Sequence, residues 1–301
     1  MRISTQTLYE TGAARLSEMQ SGLARTQQQI SAARRVLTPA DDPVAAARAL
    51  EVTQSQSINT QHGVNRQNAK SALGAVEGTL SGVTELLQDV KTSVIAAGNP
   101  TLSDTERGFM ATELRGRLDE LLGLANSRDA LGNYLFSGFQ TTTPAFSRDP
   151  VSGAVQYDGD QGQRLIQVDS TRQMAVSNPG QAVFQGGGQD VFATLNTLIV
   201  QLETPGTAGL EATLATANGD LDLALNNVLT VRASLGSRLQ EIDALDSVGE
   251  DRKLQYSQTL SELQDLDYAQ ALTQLSQQQL TLEAAQKSFV KTSGLSLFNF
   301  L

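Results

Sequence analysis

Residues Glu262–Leu301 read ELQDLDYAQALTQLSQQQLTLEAAQKSFVKTSGLSLFNFL. Leu272, Leu275, Gln279, Leu282, Gln286 and Phe289 recur in steps of three and four, the spacing that lines up side chains along one seam of a helix. No proline interrupts the run, and its first glycine is Gly294, where the helix is expected to stop. The seam is impure, because Gln279 and Gln286 stand where a self-sufficient coiled coil carries leucine. Beyond the glycine, Leu295-Ser-Leu-Phe-Asn-Phe-Leu301 is mostly apolar, and such a surface left bare on a monomer is a liability. The expectation is a helix that needs a partner. A terminal helix docked on its own domain has the same spacing, and pattern alone leaves both readings open.

The opposite end of the chain mirrors this stretch. Leu16, Met19, Leu23, Thr26, Ile30, Ala33 and Leu37 alternate strictly three and four, a helix seam about 30 Å long at ~1.5 Å per residue. Residues 1–38 contain Arg2, Arg15, Arg25, Arg34 and Arg35 against Glu10 and Glu18, whereas 262–301 contain Glu262, Asp265, Asp267 and Glu283 against Lys287 and Lys291. Two amphipathic ends of opposite sign favour pairing with each other or with copies of each other.

Between the ends, helices enclose a different texture. Leu37-Thr-Pro-Ala-Asp-Asp-Pro-Val44 stops one helix at Pro39 and starts another, with Asp42 as cap and Pro43 in the first turn. Capping accounts for the adjacent aspartates better than a metal or acid–base site does. A Gln- and Asn-rich run holding the single histidine, His62, leads into a seam at Leu73, Val76, Leu80, Val83, Leu87, Val90 and Val94, ended by Gly98-Asn-Pro100. Ser103-Asp-Thr-Glu106 has capping-box spacing, so the next helix should fold back as an antiparallel hairpin. From about Thr141, turn clusters flank short alternating runs around Val155, Tyr157, Leu165, Ile166, Val168, Met174 and Val176, which predict a small β insertion closed by Gly186-Gly-Gly188. Asp158-Gly-Asp160 resembles a fragment of a calcium loop, but no regular ligand set follows and a turn explains it better. Such a small β segment is sturdy only if it leans on helices. Helices resume at Asp190–Glu203, then along Leu214, Ala217, Leu221, Ala224, Val228, Val231, Leu235, Arg238, Ile242 and Leu245.

The fold expected is therefore mainly α: a long antiparallel helical bundle or coiled coil formed by the N- and C-terminal parts, with a small β-rich insertion. Boundaries fall at 1–40 and 264–301 for the terminal helices, 41–140 and 187–263 for a helical rod, and 141–186 for a β-rich outer domain.

Composition narrows function. The chain has 301 residues, no Cys, no Trp, one His and a formal charge of −10. Thiol chemistry and sulfur-ligated metals are excluded, and the acidic balance argues against nucleic acid as a partner. No apolar run is long enough to span a membrane, and Met1-Arg-Ile-Ser-Thr-Gln6 has no secretory h-region. With no glycine-rich phosphate loop after a strand and no His or Cys constellation, neither an enzyme nor a cofactor is expected.

Particular segments resemble the flagellin superfamily and, within it, the hook–filament junction proteins. They are Met1-Arg-Ile-Ser-Thr5, Asp41-Asp-Pro43 opening Ala45–Leu50, Tyr134-Leu-Phe-Ser-Gly138, Arg232-Ala-Ser-Leu-Gly236, Asp267–Ala271, Ala284–Lys291 and the terminal Leu295–Leu301. The likeness covers about residues 1–140 and 190–301. It implies a structural adaptor of the bacterial flagellum that lies outside the cell and joins hook to filament, polymerising into a ring through its ends. It implies export unfolded through the flagellar type III apparatus without a cleaved signal, and termini disordered in the monomer that form an inner tube on assembly. Implied partners are copies of the chain, the first hook-associated protein on the hook side, flagellin on the filament side, and a cytoplasmic export chaperone at the C-terminal helix. On this reading the assembly interface comprises Leu16, Leu23, Ile30 and Leu37 with Leu272, Leu275, Leu282, Phe289, Leu297, Phe298 and Phe300. A flagellin-type filament subunit, or a secreted type III coiled-coil tip or effector protein, is the alternative.

Overall fold

The structure, a computed structural model, describes residues 2–206 and 208–298. Its elements are α1 (Arg2–Ala32), α2 (Pro43–Ala97), α3 (Asp104–Ala125), β1 (Phe146–Arg148), β2 (Val155–Tyr157), β3 (Leu165–Asp169), β4 (Arg172–Ala175), α4 (Gly180–Phe184), α5 (Val191–Glu203), α6 (Leu210–Gln264) and α7 (Tyr268–Phe298). Among the described residues no helix is long and apolar enough to cross a membrane. The chain separates into two compact units, one formed by residues up to Ile58 with those from Asp251 onward, the other by Asn59–Glu250. The architecture is mainly α with small two-stranded sheets, as the seams and turn clusters imply.

Within the Asn59–Glu250 unit, α2 and α6 lie antiparallel. Leu73, Leu80, Leu87, Leu221, Val228, Leu235 and Ile242 are fully buried along their shared seam. Polar pairs fix the register: Asn59 donates to the Gly249 carbonyl (2.8 Å), Lys70 meets Asp243 (2.7 Å), Arg232 donates twice to Glu77, and Lys91 meets Asp222. The sequence splits α2 into an apolar half and a Gln/Asn-rich half. The helix is nevertheless continuous, because polar unbranched side chains hold helical geometry without burial and no Gly-Pro pair intervenes before Gly98.

Ser103 caps α3 in a full capping box. Its Oγ accepts from the Glu106 N–H at 3.3 Å, and Glu106 accepts from the Ser103 N–H at 2.7 Å. The helix then folds back on α2, where Arg117 reaches Asp89 and Ser93 reaches Glu113. Against α3 lies α5, capped by Asp190, with Arg115 paired to Glu203.

The β segment is two antiparallel hairpins, β1–β2 and β3–β4, the second carrying a bulge. Two-stranded hairpins of three to five residues per strand cannot stand alone. Here Asn65 donates to the Gln167 carbonyl, Arg66 to Val168, Arg238 to Ala175, and Arg172 forks onto Glu241. Phe136, Phe146, Phe184 and Phe192 pack with centroids 5.0–5.8 Å apart, joining the loop after α3, β1, α4 and α5. Gly180 is required beside them, since a Cβ there would lie 2.7 Å from the Phe146 ring.

Because Phe146 sits at the centre of this cluster and is 1% exposed, Phe146→Ala should destabilise the Asn59–Glu250 unit by about 3–5 kcal/mol. Urea unfolding followed by circular dichroism measures it, and a loss below about 1 kcal/mol would mean that the cluster is peripheral.

Candidate assembly interface

The terminal helices α1 and α7 pack antiparallel against each other. Tyr9 meets Phe289 with ring centroids 5.1 Å apart near one end, and the Tyr268 hydroxyl lies 3.4 Å from the Ile30 carbonyl at the other. On α1, Leu16, Met19, Leu23, Thr26 and Ile30 are the shielded positions, matching the three–four spacing read from the sequence. Gly12 extends this face. A Cβ at that position would lie 2.6 Å from the Phe289 ring, so the aromatic side chain seats against bare backbone.

On α7 the shielded positions are Ala271, Leu275, Gln278, Leu282, Ala285 and Phe289. The sequence reading placed Leu272, Gln279 and Gln286 in this seam; all three are exposed, Leu272 by 51%. The difference is one residue of helix rotation. Three–four spacing alone fits either neighbour at these alternate positions, whereas close packing on α1 selects the smaller Ala271 and Ala285. The α7 side of the seam thus has one polar member, Gln278, whose Oε1 is buried with no hydrogen-bond partner among the described residues. Leu272, Leu280 and Val290 project outward, at 51%, 70% and 68% exposure. A groove of about 510 Å³ bounded by Gly22, Thr26, Gln270 and Gln278 runs beside the pair.

Leu37 is not on the α1 helix. That helix ends at Ala32, with Ala33 at φ 56°, and the Arg34 N–H bonds back to Gln29 while Ala33 bonds to Ile30, a Schellman closure. An alanine in this left-handed region costs about 1–2 kcal/mol. Helix α1 therefore stops well before Pro39, and Leu37 lies half-buried in the following loop. Helix α7 in turn continues through Gly294, since one interior glycine costs only about 1 kcal/mol relative to alanine. Leu297 and Phe298 fall in its last turn; Phe300 lies outside the described residues.

The adjacent aspartates act on backbone. Asp41 Oδ2 accepts from the Leu37 and Thr38 N–H groups (2.9 and 2.8 Å) and its carboxylate pairs with Arg25. Asp42 Oδ1 accepts from the Ala45 N–H (3.0 Å) and Oδ2 meets Arg35 (3.1 Å). The Thr38 N–H and then Leu37 and Arg25 hold the Asp41 carboxyl below its ordinary value, and the Ala45 N–H with Arg35 does the same for Asp42. Among the described residues no group of three His, Asp or Glu could hold a metal.

Residues 3–141 match the bacterial flagellin N-terminal helical region. The flagellar hook-associated protein 3 of Escherichia coli K12 is 36% identical, the alignment covering 99% of each chain. A flagellin of Bacillus subtilis is 24% identical over 90% of each. Among solved structures, a Vibrio parahaemolyticus protein assigned to the flagellar hook-associated proteins superposes with a TM-score of 0.70 at 28% identity, over 75% of this chain and 100% of that one.

Two outcomes follow from the geometry. Helix propensity alone makes Gly12→Ala stabilising by about 0.5–1 kcal/mol, yet contact with the Phe289 ring should make it loosen the α1–α7 pair, and Phe289→Ala should restore the stabilising sign; hydrogen exchange of α1 amides in the double-mutant cycle, measured on the chain in its assembled state, reads this. For Asp41 and Asp42 the folded pKa lies below the ordinary aspartate value, so their contribution is complete above that value and is lost as pH falls through the folded values. Protection of the Leu37 and Thr38 amides should accordingly hold from pH 7 to about 5 and fall below about 4.

Proposed function

The chain belongs to the flagellar hook-associated protein 3 family, and from that premise we propose that it is a structural adaptor of the bacterial flagellum, joining hook to filament as a ring of identical subunits. The observation that carries this is the α1–α7 pair. Two helices bury one seam between them and leave Leu272, Leu280 and Val290 facing outward with an open groove alongside. Ordering each residue costs about 1–2 kcal/mol of backbone entropy, and a single seam, most of whose positions are only partly shielded and which includes Thr26, Ala271, Gln278 and Ala285, recovers only part of that. Neighbouring copies supply the missing contacts, so the terminal helices order on assembly.

The interface on this reading includes Leu16, Leu23 and Ile30 within the pair, and Leu272 outside it. The first hook-associated protein is the partner on the hook side and flagellin on the filament side, and an export chaperone covers the apolar face of α7 before passage through the type III apparatus. No step of this role is catalytic. Whole-length identity to a hook-associated protein, set against weaker identity to a flagellin, supports the adaptor reading over a filament subunit.

Hydrogen exchange on the dilute chain, repeated after mixing with hook fragments, tests the proposal. Rapid exchange throughout α1 and α7 alone, with protection gained on mixing, is the expected result. Full protection in the dilute chain, unchanged by hook fragments, would mean that the pair is an ordinary self-contained bundle.

A further inference from the structure

The boundary between α6 and α7 has no stop signal of its own. Across Tyr256–Leu275 the sequence contains neither Gly nor Pro, yet α6 ends at Gln264 and α7 begins at Tyr268. Asp267 offers a start for α7, its Oδ1 accepting from the Gln270 N–H at 3.1 Å. A start signal does not satisfy the carbonyls left open at the end of the preceding helix.

Those carbonyls are satisfied from the other end of the chain. The Arg35 guanidinium donates through Nη2 to the Leu263 carbonyl at 2.8 Å, and the Arg35 backbone N–H donates to the Gln264 carbonyl at 2.8 Å. In the reverse direction the Leu266 N–H donates to the Ala33 carbonyl at 3.3 Å, and Arg34 and Asp265 form an isolated antiparallel bridge. An uninterrupted helix would use the same two acceptors for the N–H groups of Asp267 and Tyr268, since each carbonyl serves the residue four further on. Arg35 occupies their place. It is itself held by its Nη1 on Asp42 (3.1 Å) and by Gln29 Nε2 donating to its carbonyl (2.6 Å), so one residue touches the end of α1, the cap of α2 and the end of α6.

We propose that Arg35 is the positioning residue that terminates α6, and that the break before α7 exists only while the segment Ala33–Arg35 is docked. The C-terminal part of the chain is then a two-state element: broken at Asp265–Asp267 when the N-terminal segment is seated, and one continuous helix when it is not. The inference concerns this chain alone and holds whatever the assembled chain joins.

Backbone carbon chemical shifts of Asp265, Leu266 and Asp267 in the full-length chain test it. Wild type should show non-helical shifts at these residues, and Arg35→Ala should move all three into the α-helical range. Asp42→Asn, which keeps a capping side chain but removes the ion pair, should leave the break in place. Non-helical shifts at 265–267 in Arg35→Ala, whether from a retained turn or from disorder, would show that the stop is intrinsic and overturn the proposal. Helical shifts there in wild type would do the same, as would helical shifts in Asp42→Asn, which would assign the stop to the ion pair and not to the Arg35 hydrogen bonds on α6.

Discussion

The seam shared by α2 and α6 is the constraint on which the Asn59–Glu250 unit depends. Its leucines and valines supply attraction but little register, because a three–four repeat can slide by a heptad and still bury apolar surface. Register comes from the polar rungs, each joining unlike charges or an amide to a carbonyl: Asn59 to Gly249, Lys70 to Asp243, Glu77 to Arg232, Lys91 to Asp222. Their net energetic worth is small where they are exposed. Their effect is to penalise alternatives, since a slipped pairing separates every rung at once. The β3–β4 hairpin relies on that register too, taking hydrogen bonds from Asn65 and Arg66 of α2 and from Arg238 of α6.

Much of this was legible in the sequence, because seams, caps and turns are local. The three–four spacing on α1, the Ser103–Glu106 box, Asp42 before Pro43 and the turn clusters around the strands each name their own structure. What stayed hidden depends on a partner. On α7, Leu275, Leu282 and Phe289 are shielded as their spacing implies, while the positions between them fall one residue earlier, at Ala271, Gln278 and Ala285, because only the neighbouring helix decides between Ala271 and the more hydrophobic Leu272. The end of α6 left no mark because its capping groups belong to residues some 230 positions away, with Arg35 reaching Leu263. The end of α1 was hidden for a different reason: Ala33 takes a backbone conformation that its residue type argues against.

The family relationship and the geometry bear on different questions. Identity along the whole chain establishes descent. It does not say which atoms do the work. The structure adds a pair of terminal helices with one buried seam, an outward row of aliphatic side chains, and a junction where two chain segments supply each other's hydrogen bonds.

The antiparallel pairing of α1 with α7 has a consequence for synthesis. Tyr9 meets Phe289, so the first helix made waits for nearly the last one. At about 5–20 residues per second the interval is on the order of 15–55 s. Throughout that time α1 has no partner from its own chain, and a strongly apolar helix would stick to other nascent chains. Its sequence suits the wait: Gln, Ser, Thr, Ala and Arg cover most of its surface, and the shielded seam uses single leucines spaced by a turn or more. A face plain enough to stay soluble alone is also too plain to bind tightly alone, and both properties come from the same residues.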